Sequence, residues 1–537
     1  MAETPRPSAA ALAPLAVGAF LLLPWLWPFA PGPSSAIVPW LAGATCAIAA
    51  NVLTGCAFSR AALLAIAVLV PLGAWQALSP LEPAALGGAL AVIGLAAGVG
   101  AWAQRESQVR TLAAAWWIAA ALSTAMALLQ YFALSGALAP WVSATEAGTA
   151  YANLRQRNQF ASLTAIGLAV VLWQVRGGWR LAFAVPLAVW FGIGNAASAS
   201  RTGLVEFLAL AALAMLWPTR SRAQALVASS AIGAYAAAAV LLPWLLAVAS
   251  GVTSVSLWER VTGPEACGSR SILWSNIAHL VRERPWGGWG WGELDYAHLM
   301  TLYPGARFCD ILDNAHDLPL HLAVELGLPA ALLVIAAAAV VLVRAQPWRE
   351  AGSDRQLAWG VLAVVAMHSL LEYPLWYAPF QVALGLAIGV LWPRDSTPLA
   401  GEKLAVVVPT ALAVLVGYAA WDYLRVSQIY LAPEDRLAAY REDPLPHIRA
   451  SWLFREYASF AELTITPLTR NNARWTYETS LAMLHYSPEP RVIEKAIESA
   501  TMIGERDAAT ALLARFRIAF PKEHALWLKT QAGVVRN

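Results

Sequence analysis

Residues 313–317 read Asp-Asn-Ala-His-Asp, a group whose types and spacing suit acid–base chemistry. An imidazole titrates near neutral pH and can take a proton from a hydroxyl. A carboxylate beside it can orient the ring and stabilise its charged form. His316 is therefore the candidate base, with Asp313, Asn314 and Asp317 as supporting groups; the plain alternative is a polar helix start whose histidine is satisfied locally. Three arginine sites accompany it. Arg201, in "NAASASRTGLVEF", sits between small-residue and apolar runs, where a guanidinium has little room for water and needs an anion. Arg270, in "GSRSILWSNIAHLV", opens an amphipathic helix with Trp274 and Ile277 on one side. That helix reads equally as an interfacial anchor or as an anion site. Arg155 and Arg157 lie with Gln156, Asn158 and Gln159 in "NLRQRNQFASL", suited either to snorkelling toward lipid phosphates or to holding a ligand. A guanidinium stays charged and its fork of donors matches two phosphate oxygens, so Arg201 and Arg270 together suit a diphosphate. His368 and Glu372 are one helical turn apart and share a face. They either line the same cavity or form an internal pair that packs two helices. No Cys/His metal spacing, P-loop, G-x-S-x-G or acidic metal cluster is present, so chemistry without metal or cofactor is expected.

These residues need a membrane to place them. The chain has 537 residues, 59% hydrophobic and 13% charged, with mean hydropathy +0.56. That excludes a soluble globular domain. Apolar runs of the roughly 20 residues a span requires predict an all-α polytopic integral membrane protein with about 12–13 transmembrane helices. They lie near 10–30, 35–53, 61–79, 84–103, 110–134, 159–175, 181–197, 202–217, 224–249, 317–343, 356–372, 376–392 and 404–423. The first run follows "MAETPRPSAA" and reads as a retained span rather than a signal peptide. Basic residues such as Arg105, Arg110, Arg176, Arg180, Arg220, Arg222 and Arg344 fall on one face if the spans alternate, which makes that face cytoplasmic. The predicted parts are N-terminal spans over 1–250, an outer loop with the site elements over 251–316, further spans over 317–424, and an outer helical domain over 425–537. In the last part, "RWTYETSLAMLHY", "RVIEKAIESATMIG" and "ERDAATALLARFRIAF" look like repeat hairpins of the TPR kind. Cys267 and Cys309 both fall in the outer loop, where a disulfide and two free thiols are both open. The net charge of +3 says little on its own, and no nucleic-acid partner is expected.

The order Arg201, Arg270, His316 resembles the superfamily of bacterial O-antigen ligases, O-antigen polymerases and protein O-oligosaccharyltransferases. Its members carry an S-R-T/G element, an arginine and tryptophan in a long outer loop, and H-N/D-x-x-L-x-x-x-x-E-L-G. Here the last is His316-Asp317, Leu320 and Glu325-Leu326-Gly327, with Asp317 where Asn is usual. "NLRQRNQFASL", "HSLLEYPLWY" and the outer C-terminal domain are most similar to the pilin-type protein O-oligosaccharyltransferase branch. The resemblance covers about 153–392. It implies a bacterial inner-membrane glycosyltransferase facing the periplasm. Its donor would be a preassembled glycan on undecaprenyl diphosphate, and its acceptor a hydroxyl of a pilin-like protein. His316 would serve as base, Arg201, Arg270, Arg155 and Arg157 would hold the diphosphate, and Gln159, Asp313, Asn314, Asp317, His368 and Glu372 would support them. Within the superfamily the other acceptors are lipid A core, for a ligase making lipopolysaccharide, and a glycan repeat, for a polymerase. Outside it stand a transporter or flippase, whose charges would line a pathway, and a scaffold, which has no need of the three groups together.

Overall fold

A computed structural model describes residues 9–55, 66–71, 73–74, 77–252, 267–392 and 402–534. Among them every regular element is helical and none is a strand. The helices of seven residues or more are, in chain order, α1 Ala9–Leu26, α2 Ile37–Thr54, α3 Leu81–Arg105, α4 Val109–Tyr131, α5 Arg157–Arg176, α6 Leu181–Ala197, α7 Arg201–Leu216, α8 Arg222–Ser250, α9 Arg270–Glu283 and α10 Leu294–Met300. They continue with α11 Leu318–Leu326, α12 Leu328–Ala345, α13 Ser353–Ser369, α14 Ala378–Leu391, α15 Glu402–Ser427, α16 Arg455–Ile465, α17 Ala473–Leu484, α18 Pro490–Ile503, α19 Arg506–Ala519 and α20 Pro521–Val534.

The chain is an all-helical polytopic membrane protein. Seven described helices are long and apolar enough to cross a bilayer, and three shorter apolar ones accompany them: Ala13–Leu26, Leu181–Ala197 and Ala378–Leu391. The expected spans at 202–217 and 356–372 correspond to α7, of 16 residues, and α13, of 17, which carry Glu206 and His368 in their interiors. Of the span expected at 61–79, residues 61–65, 72, 75 and 76 lie outside the described residues, as do 253–266 of the outer loop. The span expected at 317–343 is two helices. α11 stops at Gly327, whose φ is +85°, and the apolar candidate begins only at Leu328.

The chain forms two compact units. The first comprises Met1–Leu69, Leu86–Gly263 and Ala339–Tyr418; the second comprises Val70–Ala85, Pro264–Ala338 and Ala419–Asn537. In the first, α5 is the axis, with 89% of its apolar window buried. It packs against α4, α6, α7 and α13, and Phe160, Ile166, Phe191 and Phe207 are wholly enclosed. Lipid gives apolar helices no reason to prefer one another over acyl chains, so close backbone approach and interhelical hydrogen bonds must hold such a bundle. At the α3–α14 crossing a Cβ on Gly100 would strike the Leu386 carbonyl, and one on Gly389 the Ala97 carbonyl.

In the second unit, α9, α10 and α11 bury Leu273, Ile277, Leu280, Leu294, Phe308, Leu312 and Val324 together. The "PWGGWGWG" segment docks on the end of α11: Trp289 N–H donates to the Val324 carbonyl at 2.9 Å, Gly290 N–H to that of Glu325 at 3.1 Å, and Leu328 N–H to that of Pro285 at 2.8 Å. Gly288 (φ +69°) and Gly327 allow the two strands of chain to touch, since a Cβ on either would enter the other segment's backbone. This contact breaks the expected long helix. The C-terminal helices α16–α20 form antiparallel pairs around Leu463, Val492, Ile493, Ile497, Leu512 and Phe516, and this core also takes in Leu299 of α10. Arg515 Nε donates to the Met300 carbonyl at 3.0 Å. His485 Nδ1 lies 2.6 Å from Glu293 Oε2 and its ring stacks on Tyr296 at 3.7 Å.

Candidate functional site

The polar residues of the first unit are organised by the start of α5. Gln156 caps that helix by accepting from Gln159 N–H at 2.6 Å, and Arg155 just before it is left-handed, with φ +58°. Buried Asn153 donates to the carbonyls of Leu26 and Trp141, each at 2.9 Å, and accepts from Ser143 N–H at 3.0 Å. Buried Gln130 accepts from the N–H groups of Tyr151 and Ala152 at 3.1 and 2.7 Å. Arg155 donates to the Asn153 and Pro28 carbonyls; Arg157 donates to Thr149 Oγ1 at 3.0 Å. Both guanidinium groups thus use part of their donors on the protein itself. Gln159 is buried.

Two hydrogen-bonded ties join α5, α7 and α13 with the turn that follows it. Ser200 caps α7 by accepting from Gly203 N–H at 3.2 Å and donates to Asn158 Oδ1 at 2.6 Å; Asn158 Nδ2 donates to Glu372 Oε1 at 2.8 Å. Arg201, the first residue of α7, projects from this junction and is exposed. Four residues further along α5, Ser162 donates to Glu206 Oε1 at 2.6 Å, and its Oγ lies 2.8 Å from Nδ1 of His368, which stands on α13 four residues before Glu372. His368 and Glu372 therefore tie the end of α13 and the turn after it to α5. Asn158 belongs to the polar cluster that the sequence displays, whereas Ser162, Ser200 and Glu206 carry no comparable motif. An acid inside an apolar run was the available signal for Glu206.

The second unit holds Arg270, Asp313, Asn314, His316 and Asp317. Ser269 caps α9 by accepting from Ile272 N–H at 3.4 Å, which leaves Arg270 at its first turn. Three residues earlier, Cys267 is disulfide-bonded to Cys309, with Cα atoms 5.3 Å apart. Asp317 caps α11 by accepting from Leu320 N–H at 2.8 Å. The acid ahead of the apolar stretch is thus a helix cap, and burial raises its carboxyl against the pull of that N–H. His316 is left-handed, with φ +51°, a conformation that costs a non-glycine residue on the order of 1 kcal/mol and that clusters at functional sites. His316 N–H donates to buried Asn314 Oδ1 at 2.9 Å. Asp313 has a face open to solvent, with protein crowding its other sides. That crowding raises its carboxyl, and the nearby His316 pulls it back; the open face limits the shift.

Two other histidines of this unit are built differently. His298 Nε2 meets the Phe308 carbonyl at 3.1 Å and its Nδ1 meets the Tyr303 hydroxyl at 2.8 Å. Burial, with Arg307 nearby, pushes it down to about 3, so it is a neutral structural ring. His321 lies 3.4 Å from Glu325 within α11. Burial and then His316 push it down to about 4, while burial raises Glu325 well above the usual carboxylate value. Both shifts favour the neutral forms of the two groups. Glu325 also accepts from Gly292 N–H, which makes the E-L-G segment the seat of the glycine-rich loop.

Residues 186–335 match the O-antigen ligase family model, 150–173 that of protein glycosylation ligase, and 356–534 that of the virulence factor membrane-bound polymerase C-terminal region. Among curated proteins, the chain is 25% identical over 285 residues to a general O-oligosaccharyltransferase of Acinetobacter baylyi, covering 51% of this chain and 48% of that protein. It is 28% identical over 138 residues to a ComP-specific O-oligosaccharyltransferase of the same organism, covering 26% and 24%. The chain spans about half or less of the length of these relatives. Its likeness is to the superfamily of O-antigen ligases, polymerases and O-oligosaccharyltransferases, and within it to the protein-glycosylating branch.

Proposed function

We propose that this chain is a glycosyltransferase that moves a preassembled glycan en bloc from undecaprenyl diphosphate to an acceptor hydroxyl, Ser or Thr of a pilin-like periplasmic protein. The observation that carries the reading is the 313–317 turn. It holds an imidazole in a left-handed conformation beside a carboxylate, within the stretch that matches the O-antigen ligase family and in the same compact unit as Arg270. His316 accepts the proton of the acceptor hydroxyl as its oxygen attacks the sugar C1. The C1–O bond to phosphate breaks, its electron pair leaves with the diphosphate, and a single displacement inverts the anomeric centre. Arg270 binds the diphosphate and stabilises the charge that develops on it. Arg201, Arg155 and Arg157 are assigned to donor binding on sequence grounds, with Arg155 and Arg157 the weaker because their donors are partly engaged. Asp313, Asn314 and Asp317 set the imidazole, and Gln159, His368 and Glu372 keep α5 and α13 in place. Diphosphate is a good leaving group, so positioning and electrostatics supply the acceleration without a metal.

We assign the chain to the bacterial inner membrane with 313–317 on the periplasmic side. The basic residues of the opposite loops support this orientation, as does the Cys267–Cys309 disulfide, which requires an oxidising compartment. A second reading, with glycan repeat or lipid A core as acceptor, is favoured by the polymerase and ligase family matches. The test combines purified protein, an undecaprenyl-diphosphate oligosaccharide and EDTA with a pilin-like protein or lipid A core in parallel. Glycan on the protein, absent with His316→Ala, is the expected result. Glycan on lipid A core alone would replace the protein acceptor, and loss of transfer with EDTA would overturn the metal-free displacement.

A further inference from the structure

We propose that Trp274 is a positioning residue for this reaction: its indole N–H fixes the peptide that carries His316 and so sets the imidazole relative to Arg270. The inference rests on the reading above of His316 as base and Arg270 as diphosphate ligand. Arg270 and Trp274 are four residues apart on α9, one above the other on a single helical face. Trp274 Nε1 donates to the Ala315 carbonyl at 3.1 Å. That carbonyl and the His316 N–H belong to one peptide group, and the N–H donates to Asn314 Oδ1 at 2.9 Å. Both polar ends of the peptide are therefore held. Because a peptide group is planar, fixing it leaves the left-handed φ of His316, +51°, to determine where Cβ and the ring point.

The same helix is stitched to the same segment on either side. Cys267, three residues before Arg270, is bonded to Cys309. Asn276, two residues beyond Trp274, donates to the Ala306 carbonyl at 2.9 Å and accepts from Phe308 N–H at 2.8 Å. Arg270 thus stands between an anchor just before α9 and others within it, and of these the Trp274 bond is the one adjoining the imidazole. Trp274 packs against the α9–α11 core, so a phenyl ring can keep the packing while losing the donor. Freed at its carbonyl, the 315–316 peptide can rotate, and His316 loses its set direction without any change at Arg270.

The test uses the full chain in lipid nanodiscs, with initial rates of glycan transfer at varied donor concentration and thermal unfolding of the same samples. Parent, His316→Ala and Trp274→Phe are compared. For Trp274→Phe the expected result is a kcat lower by about ten- to a hundredfold, the loss that a misplacement of about 1 Å brings. Donor KM should stay within about twofold, since Arg270 is untouched. The unfolding midpoint should stay within a few degrees of the parent. If the Phe variant does not fold, benzothienylalanine at position 274 keeps the bicyclic shape with sulfur in place of N–H and gives the same comparison. A kcat within about twofold of the parent, or a loss that follows the folded fraction, overturns the positioning role while His316→Ala remains inactive. Full activity in His316→Ala instead removes the base, and with it the group to be positioned.

Discussion

A buried histidine of the first unit and the loop histidine of the second are held in different ways. In the first, a histidine at the end of α13 and a glutamate in the turn just after it meet partners on α5: His368 meets Ser162, and Glu372 meets Asn158. In the second, His316 stands outside any helix, in a left-handed turn, half-buried and with its backbone N–H held by Asn314. His298 and His321 of the second unit resemble His368 in being buried in local pairs. Burial with a partner turns histidine into packing material, as interhelical hydrogen bonds do in membranes. The His316 peptide, by contrast, is held in a loop beside the Asp313 carboxylate.

The largest test of this contrast is His316→Ala against His368→Ala. His316→Ala should lower transfer by 10²–10⁴-fold, the usual worth of a positioned acid–base group, while a donor-binding measurement by isothermal titration changes little. His368→Ala should lower the folded fraction in detergent and leave turnover per folded molecule nearly intact. Equal turnover losses would erase the distinction.

Arginines provide the next comparison. Arg270→Ala should reduce kcat/KM for the lipid-linked donor by roughly 10²-fold, as expected for the loss of charge-assisted contacts to a diphosphate. Arg155→Ala should cost about tenfold or less, because its guanidinium already donates to the carbonyls of Asn153 and Pro28. Donor titrations at fixed acceptor read this ranking, and the reverse order would move the diphosphate to the α5 start.

Smaller effects belong to the ties themselves. Asn158→Ala opens the Ser200–Asn158–Glu372 bridge. Membrane hydrogen bonds of this kind contribute about 0.6–2 kcal/mol, so the unfolding midpoint in mild detergent should fall by a few degrees while rates fall less than about fivefold. Glu372→Gln retains an oxygen to accept from Asn158 and should fall by less than Asn158→Ala.

Much of this was legible in the chain. Apolar runs announce spans because lipid demands them, and His316, Arg201 and Arg270 stand out because polar groups beside such runs need a reason. What could not be read was contact made over long sequence distance. Ser162 and Ser200 are unremarkable serines until α5 brings them to Glu206 and Asn158. The break at Gly327 was hidden because its cause lies in the backbone of 285–288, about forty residues away by number. Hydropathy sums composition over a window and cannot see a glycine forced by another segment, so the run over 317–343 passed for a single helix. Asp317 was legible as an acid at a helix start but not as a cap, and Trp274 was legible as an anchor but not as a donor to Ala315.

The smallest expected effect concerns Glu325, buried under the glycine-rich loop. Burial raises its carboxyl well above the ordinary value of 4.5 and its acidic neighbours push the same way, while the Gly292 N–H opposes them. Asp295 is raised for similar reasons. The folded protein therefore keeps these protons to a higher pH than the unfolded chain does. For Glu325 the stability contributed is complete below the unfolded value near 4.5 and is lost as pH rises through the folded one, by about 1.4 kcal/mol for each pH unit of elevation. Glu325→Gln has no proton to lose and keeps an oxygen for Gly292, so its unfolding midpoint should change less between pH 5 and pH 8, and its advantage over the parent should grow with pH. Glu325→Ala, by contrast, gives up the hydrogen bond and leaves a hole beneath the loop, and should unfold earlier throughout that range. A parent no more pH-dependent than Glu325→Gln would mean that the carboxylate is already ionised under the loop, and the neutral forms favoured for His321 and Glu325 would have to be replaced by an ion pair.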